Sequence, residues 1–341
     1  RTSIWFYNDK AYCDGHITIL RNGSVDPYFI TAFLNSKYGL LQFDQNFRGS
    51  SGQIEIYPYD ISKFVIPECL FPYQQEIGDY LRKAFELQQE SQSLYQKATD
   101  LLETELGLDR ITFEKPKSYT ASFSDLVINR RIDSDFYNPD YEMLKSHLKT
   151  LNGEKLRNIS FLRSGFAFSS GKYKSEGSQI VRIQNISGNL LNLKRNPVFY
   201  SDSDLVSLSN FKIRKGDTLM AMTGNTIGNC SLNTSDSDLY LNQRVLAITP
   251  DENYVTPEYL NLILRNTVFK TFIDRELVGG AQPNISLEFI GNQIVPIVNE
   301  DSMEIITNNL KKHYSNSEKS KKLLAKAKMR VEELIEEAAK K

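Results

Sequence analysis

The sequence predicts an α+β chain made of two related units, each running into a long helix, with the two helices pairing antiparallel. Three observations predict it: an internal repeat, two long stretches with apolar residues spaced by three, four and seven, and short β-rich runs between turn residues. The repeat sets the plan. Val25-Asp26-Pro27-Tyr28-Phe29-Ile30-Thr31-Ala32-Phe33-Leu34-Asn35 is echoed by Val255-Thr256-Pro257-Glu258-Tyr259-Leu260-Asn261-Leu262-Ile263-Leu264-Arg265, with valine, proline and leucine recurring at an offset of 230. Arg48-Gly49-Ser50-Ser51-Gly52-Gln53 faces Val278-Gly279-Gly280-Ala281-Gln282-Pro283, and Phe64-Val65-Ile66-Pro67 faces Gln293-Ile294-Val295-Pro296 at an offset of 229. A period this long indicates a tandem pseudo-twofold protein, because stacked repeats have periods of about 20–50 residues.

Taken in order, residues 1–70 mix β-rich runs, Ile17-Thr18-Ile19-Leu20 and Phe64-Val65-Ile66-Pro67, with one helical stretch near Pro27–Gln42. A helix is then predicted from Pro72 to about Leu106, with proline in its first turn and Gly107 as its stop. At 1.5 Å per residue it spans roughly 50 Å. A polar stretch, Asp109 to Ala121, leads into a complete unit from about Ser122 to Val298. Its β-like runs are Ile180–Ile183, Asp217–Met222 and Arg244–Ile248, set off by Gly, Asn and Ser turns. The second long helix opens on Asp301-Ser302-Met303-Glu304, a capping-box spacing with Asp as the cap, and runs to about Ala339. Ile77, Leu81, Phe85, Leu94, Ala98, Leu102 and Leu106 fall on Ile306, Leu310, Tyr314, Leu323, Ala327, Val331 and Ile335, so the repeat extends to the apolar face. A long helix with one apolar face needs a partner, and the other long helix is the obvious one.

Composition narrows the function. The chain has 341 residues, 40% of them hydrophobic, and a net charge of −1. That charge is unevenly placed. Lys149 to Asp217 holds twelve Lys and Arg against five Asp and Glu, a local +7; Pro72–Leu106 carries −4 and Asp301–Lys341 carries +3. Cys13, Cys69 and Cys230 are too few and too scattered for a disulfide framework or a zinc site. No apolar run reaches the roughly 18 residues of a membrane span, so a cytoplasmic protein without a membrane partner is expected. The chain opens on Arg1, inside what the repeat marks as the middle of a unit, which suggests a trimmed or partial chain.

Four segments carry a resemblance. Ser178-Gln179-Ile180-Val181-Arg182-Ile183-Gln184-Asn185-Ile186, then Gly216 through Gly228 (GDTLMAMTGNTIG), then Leu241-Asn242-Gln243-Arg244-Val245, then Gly279-Gly280-Ala281-Gln282-Pro283-Asn284-Ile285-Ser286 occur in this order. Together they resemble the specificity subunit of type I restriction-modification systems; Arg130 to Pro139 looks like the entry into one of its target-recognition domains. The departure is the first copy, which lacks any equivalent of the first two segments. The resemblance implies a non-catalytic DNA reader without a cofactor: two pseudo-twofold-related target-recognition domains separated by two long antiparallel helices forming a coiled coil. The domains are then residues 1–70, the C-terminal part of the first recognition domain; 71–107, the first spacer helix; 108–298, the second recognition domain; and 299–341, the second spacer helix. The implied partners are double-stranded DNA, methyltransferase subunits, and restriction-motor subunits through the complex. One alternative is the recognition portion of a fused restriction-methylation enzyme. Another is a coiled-coil adaptor without DNA binding.

Candidate DNA contacts follow from side-chain chemistry. Lys172, Lys174, Arg182, Arg195, Lys212, Arg214 and Lys215 can neutralise phosphates. Gln184, Asn185, Thr223, Asn225, Gln243 and Arg244 offer hydrogen bonds to base edges, with Asn and Gln suited to adenine and Arg to guanine. A turn-capping amide or a solvated charge is the competing reading for each. The glycines from Gly216 to Gly228 lack the spacing of a nucleotide cradle and read as tight turns. Asn138-Pro139-Asp140-Tyr141 approaches the Asn-Pro-Pro-Tyr pattern of amino-methyltransferases, but its second proline is Asp and no glycine-rich motif precedes it. Asp140, Glu142 and Lys145 are nuclease-type residues crowded onto one helix start. His16, His147 and His313 stand apart from ligand or triad partners.

Overall fold

A computed structural model describes residues 2–6, 10–21, 23–49, 54–111, 118–277 and 285–340. The chain divides into two compact units, residues 1–94 with 312–341, and residues 95–311.

In the first unit the predicted single helix near Pro27–Gln42 is two, Pro27–Leu34 and Lys37–Asn46. Asp26 caps the first through Tyr28 N, and Ser36 ends that run by capping the second through Gly39 N. Phe29, Ala32, Phe33 and Leu34 are buried with Leu70 against both long helices: Ile77 and Leu81 of Gln74–Glu105, and Ala327, Val331 and Leu334 of Glu300–Ala338. The first long helix therefore starts two residues after Pro72, which lies in a preceding 3-10 turn, Glu68–Tyr73. The two helices run antiparallel in this unit. Glu76 meets Arg330 at 3.2 Å, Ser320 Oγ donates to the Ala84 carbonyl at 2.7 Å, and Ser91 Oγ donates to the His313 carbonyl at 3.0 Å. Ser91 and Ser320, like Ala84 and His313, are 229 residues apart, so these two bonds are one bond repeated about a local twofold. Among the described residues Glu76–Arg330 is the one ion pair between the helices. Their opposite net charge is accordingly a minor contributor beside the buried seam.

The β-like runs Ile17–Leu20 and Phe64–Pro67 are not strands. A strand needs a ladder partner, and at Val65 the Gln42 carboxamide takes that place, accepting from the main-chain N–H at 2.8 Å and donating to the carbonyl at 3.0 Å. The Arg48 segment has one isolated bridge, to Glu55, while Ser50 to Gln53 lie outside the described residues.

The second unit holds nine strands among the described residues: β1 Gly153–Lys155, β2 Ser160–Ser164, β3 Ser178–Val181, β4 Phe199–Tyr200, β5 Thr218–Ala221, β6 Cys230–Leu232, β7 Leu239–Leu241, β8 Val245–Pro250 and β9 Ile294–Pro296. They form a four-stranded antiparallel sheet in the order β2-β8-β5-β6, a three-stranded sheet β4-β3-β7 whose β3–β7 pair is parallel, and the pair β1-β9. In β3 the adjacent residues Ile180 and Val181 are both apolar because both faces of the strand are covered there. Val181 joins the cluster of Leu219, Leu241 and Val245, while Ile180 packs with Phe168, Tyr200 and Tyr240. Helix Pro257–Arg265, the counterpart of Pro27–Leu34, covers the four-stranded sheet, and Arg265 Nη1 donates to the Cys230 and Gly188 carbonyls. Gly107 adopts a left-handed φ of 61° after the first long helix, as expected of a helix stop. His147 Nε2 lies 2.7 Å from the Leu106 carbonyl at the same terminus. The second long helix is capped by Asn299, whose Oδ1 accepts from Ser302 N at 2.9 Å, so the expected capping box on Asp301 is not formed. In this unit, too, the long helices meet, Ser302 Oγ donating to Glu105 at 2.8 Å.

Candidate nucleic-acid interface

The predicted residues gather in three places within the second unit. The first is one end of the four-stranded sheet, where β5 leaves through the turn Gly224–Thr226 and β8 enters after Asn242-Gln243-Arg244. Met222 N donates to the Arg244 carbonyl at 3.0 Å, which holds the two turns side by side, and Ile285 N donates to the Met222 carbonyl at 3.3 Å. Gly224, φ 79°, permits the reversal; Gly228, φ 77°, sits so close to Ile273 that an added Cβ would lie 2.8 Å from its Cδ1. These glycines serve as turns. Asn225, Gln243 and Arg244 are exposed, and no partner engages their side chains among the described residues. Thr223 Oγ1 is buried with no hydrogen-bond partner among the described residues. Of the glycine-rich segment Gly279–Ser286, Gly279 to Asn284 lie outside the described residues.

The second place is the loop beside β3. Arg182 Nη2 donates to the Asn196 carbonyl at 2.7 Å and Gln184 Nε2 to the same oxygen at 3.2 Å. Asn185, 1% exposed, donates to the Asn192 and Arg195 carbonyls and accepts from Arg182 N. This is the turn-capping role for Asn185, and its polar atoms are spent inside the fold. Arg182 also lies over the Tyr173 ring, 5.6 Å from its centroid. Lys174 and Arg195 are exposed, with Lys174 N bonded to the Phe199 carbonyl on the same sheet.

The third place is the segment before β5. Lys212 and Lys215 are ion-paired with Asp238 and Asp236, and Lys172, beside the second place, with Asp204. The hydrogen bond and charge of Asp238 raise the Lys212 pKa above the ordinary lysine value. Two of these carboxylates lie beyond Asp217, so the +7 counted over Lys149–Asp217 overstates the free positive charge. Arg214 is exposed with no side-chain partner among the described residues.

Two residues are missed by reading the sequence alone. Lys194 is exposed on the loop beside Arg195, and the local excess of positive charge is its only signal. Arg163 donates to the Asn210 and Lys212 carbonyls and, at 2.6 Å, to Asp217, which is fully buried and also accepts from Arg214 N and Thr249. No local pattern announces such a pair, because its members are 54 residues apart.

The rival readings find structural explanations. Asn138-Pro139-Asp140-Tyr141 is a helix start: Asn138 Oδ1 accepts from Asp140 N at 3.0 Å and Pro139 is the first helical residue of Pro139–Thr150. Glu142 on that helix pairs with Arg275 at 2.9 Å. Among the described residues no group of His, Cys, Asp or Glu is arranged to hold a metal, and no helix is long and apolar enough to cross a membrane.

Comparison with known proteins gives these features a family. Residues 149–329, more than half of the chain, match the family described as Type I restriction modification DNA specificity domain. A curated relative, the type I restriction enzyme EcoBI specificity subunit of Escherichia coli, is 21% identical over 161 residues. That match takes in 47% of this chain and 34% of the relative's length, about a third. Among solved structures, a type I restriction-modification S subunit from M. genitalium aligns at 15% identity and a TM-score of 0.46, over 91% of this chain and 71% of the other. The HsdS subunit from Thermoanaerobacter tengcongensis aligns at 13% identity and a TM-score of 0.37, over 92% and 69%. The chain belongs to the type I restriction-modification DNA specificity family.

Proposed function

We propose that this chain is the DNA-recognition subunit of a type I restriction-modification complex, reading a two-part target and holding the methyltransferase subunits that modify it, with restriction-motor subunits joining through the complex. The observation that carries this reading is the pair of adjacent turns bearing Asn225, Gln243 and Arg244, unpartnered among the described residues, inside the segment matched to the family's DNA specificity domain. Arg244 suits guanine and the two amides suit adenine, whereas the Thr223 hydroxyl is buried and not presented to a base. Lys174, Arg195 and Arg214 would neutralise phosphates directly; Lys172, Lys212 and Lys215 would first exchange an aspartate for a phosphate. In this reading residues 108–298 form one recognition domain, 1–70 the end of another, and 71–107 and 299–341 the spacer helices. The chain itself contributes no chemistry; catalysis belongs to its partners.

Reconstitution with a type I methyltransferase subunit, followed by sequencing of methylated DNA, tests the proposal. A motif split by an unread spacer is the expected result. A single uninterrupted motif would overturn two-part reading, and duplex binding without salt dependence would overturn the DNA role.

A further inference from the structure

Side-chain donors of Arg182, Gln184 and Asn185 converge on one loop. Asn192, Leu193, Arg195 and Asn196 each have their main-chain carbonyl bonded by a side chain of the 179–185 segment: Asn192 and Arg195 by Asn185, Leu193 by Gln179 at 2.7 Å, and Asn196 by both Arg182 and Gln184. The loop is bound back in the other direction as well, Asn192 N donating to the Asn185 carbonyl at 2.8 Å. Four neighbouring carbonyls satisfied from one segment leave the loop little conformational freedom, since each would otherwise have to be solvated or bonded elsewhere. Asn196 is held at a φ of 44°, a left-handed conformation that asparagine tolerates in a tight reversal, and Pro197 follows it. What this clamp presents is Lys194 and Arg195, both exposed and without an acidic partner among the described residues.

We infer that Lys194 and Arg195 form a phosphate-contacting tip and that Gln184 and Asn185 are positioning residues that set it, instead of reading bases themselves. The inference rests on the chain being a DNA reader and assigns a role within that site. A preset tip meets the duplex backbone without first ordering a flexible loop, so the ordering cost falls on folding and not on binding.

The test uses the full chain and a fluorescently labelled mixed-sequence duplex, with affinity followed by anisotropy across a salt series. Joint replacement Lys194→Ala and Arg195→Ala should weaken binding and flatten the slope of log K against log salt by about 0.9 for each phosphate no longer neutralised. Gln184→Met, which leaves the charge intact, should weaken binding with the slope changed less, and its effect should vanish in the doubly substituted background. Asn185→Leu is a second probe, and thermal melts show whether it still folds. Gln184→Met should also speed hydrogen exchange at Asn192, a readout independent of DNA. An unchanged slope in the double variant would overturn the tip assignment. An additive Gln184→Met effect would make the motif touch DNA directly, against the positioning role, and unchanged exchange would overturn the clamp. A wild-type chain lacking salt-dependent binding would remove the DNA-reading premise instead, while leaving the exchange result to judge the clamp.

Discussion

At the scale of single residues, burial decides which charges serve the fold. The Arg163 side chain is 11% exposed and that of Asp217 is 0% exposed, and their pair fixes the segment that carries Lys212, Arg214 and Lys215. Removing one partner strands a buried charge, which costs about 3–5 kcal/mol. Arg163→Met should therefore lower the melting temperature by roughly 6–20 °C, read by calorimetry, and Asp217→Asn should do the same. Arg244 presents the opposite case. It is exposed beside Asn225 and Gln243, so Arg244→Ala should leave stability unchanged, weaken binding by about 1–3 kcal/mol and relax one base position in a methylation map. Arg182→Ala should instead weaken binding alike on all sequences, because its guanidinium is occupied by the Asn196 carbonyl. Side-chain type picks out the polar residues, yet it cannot separate these cases. Asn185 and Asn225 read alike as letters, and only the position of the 192–196 carbonyls makes one a clamp and leaves the other free.

At the scale of elements, the helix faces are legible because their information is local. Apolar periodicity alone marks Ile77, Leu81, Ala98 and Leu102, and their repeat partners Ile306, Leu310, Ala327 and Val331, and all eight are buried. Strand runs are less legible, for Phe64–Pro67 has the letters of a strand and lacks a ladder, whereas its repeat counterpart Ile294–Pro296 pairs with Gly153–Lys155. The helix seam also contains a titrating group. His313 packs against Ser91, its Nδ1 lying 2.8 Å from both Ser91 Oγ and the Ser91 carbonyl, with its own neighbour Tyr314 ring to ring and Lys321 adding positive charge. Burial pushes its pKa below 6.5, and Lys321 pushes the same way against the Ser91 hydrogen bond. The folded state thus holds fewer protons than the unfolded chain at and below about pH 6.5, so His313 contributes stability above that pH and the contribution is lost as pH falls. A His313→Asn variant should show a shallower fall in melting temperature from about pH 7.5 to 5.5 than the parent. An equal fall in both would show that the imidazole does not titrate in the seam. Ser320→Ala removes one buried hydrogen bond to Ala84 and should cost about 1 kcal/mol at any pH in that range.

At the scale of the whole molecule, a net charge of −1 conceals how the chain would meet a polyanion. The excess of basic residues in Lys149–Asp217 is offset by acids from the following stretch, Asp236 and Asp238, each paired with an exposed lysine. Exposed pairs of this kind contribute about 0–1 kcal/mol to stability, so folding gains little from them. Their larger effect falls on binding: each aspartate competes with phosphate for its lysine and lowers the positive potential that draws DNA in. Replacing both, Asp236→Asn with Asp238→Asn, raises the net charge by two and frees Lys215 and Lys212. If these lysines face the backbone, duplex affinity should rise and the slope of log K against log salt should steepen by up to about 0.9 for each phosphate newly neutralised, with the melting temperature nearly unchanged. Tighter binding at an unchanged slope would assign the aspartates a long-range role only. No change in either would place both lysines away from the DNA path and leave Lys174, Lys194, Arg195 and Arg214 to neutralise the phosphates.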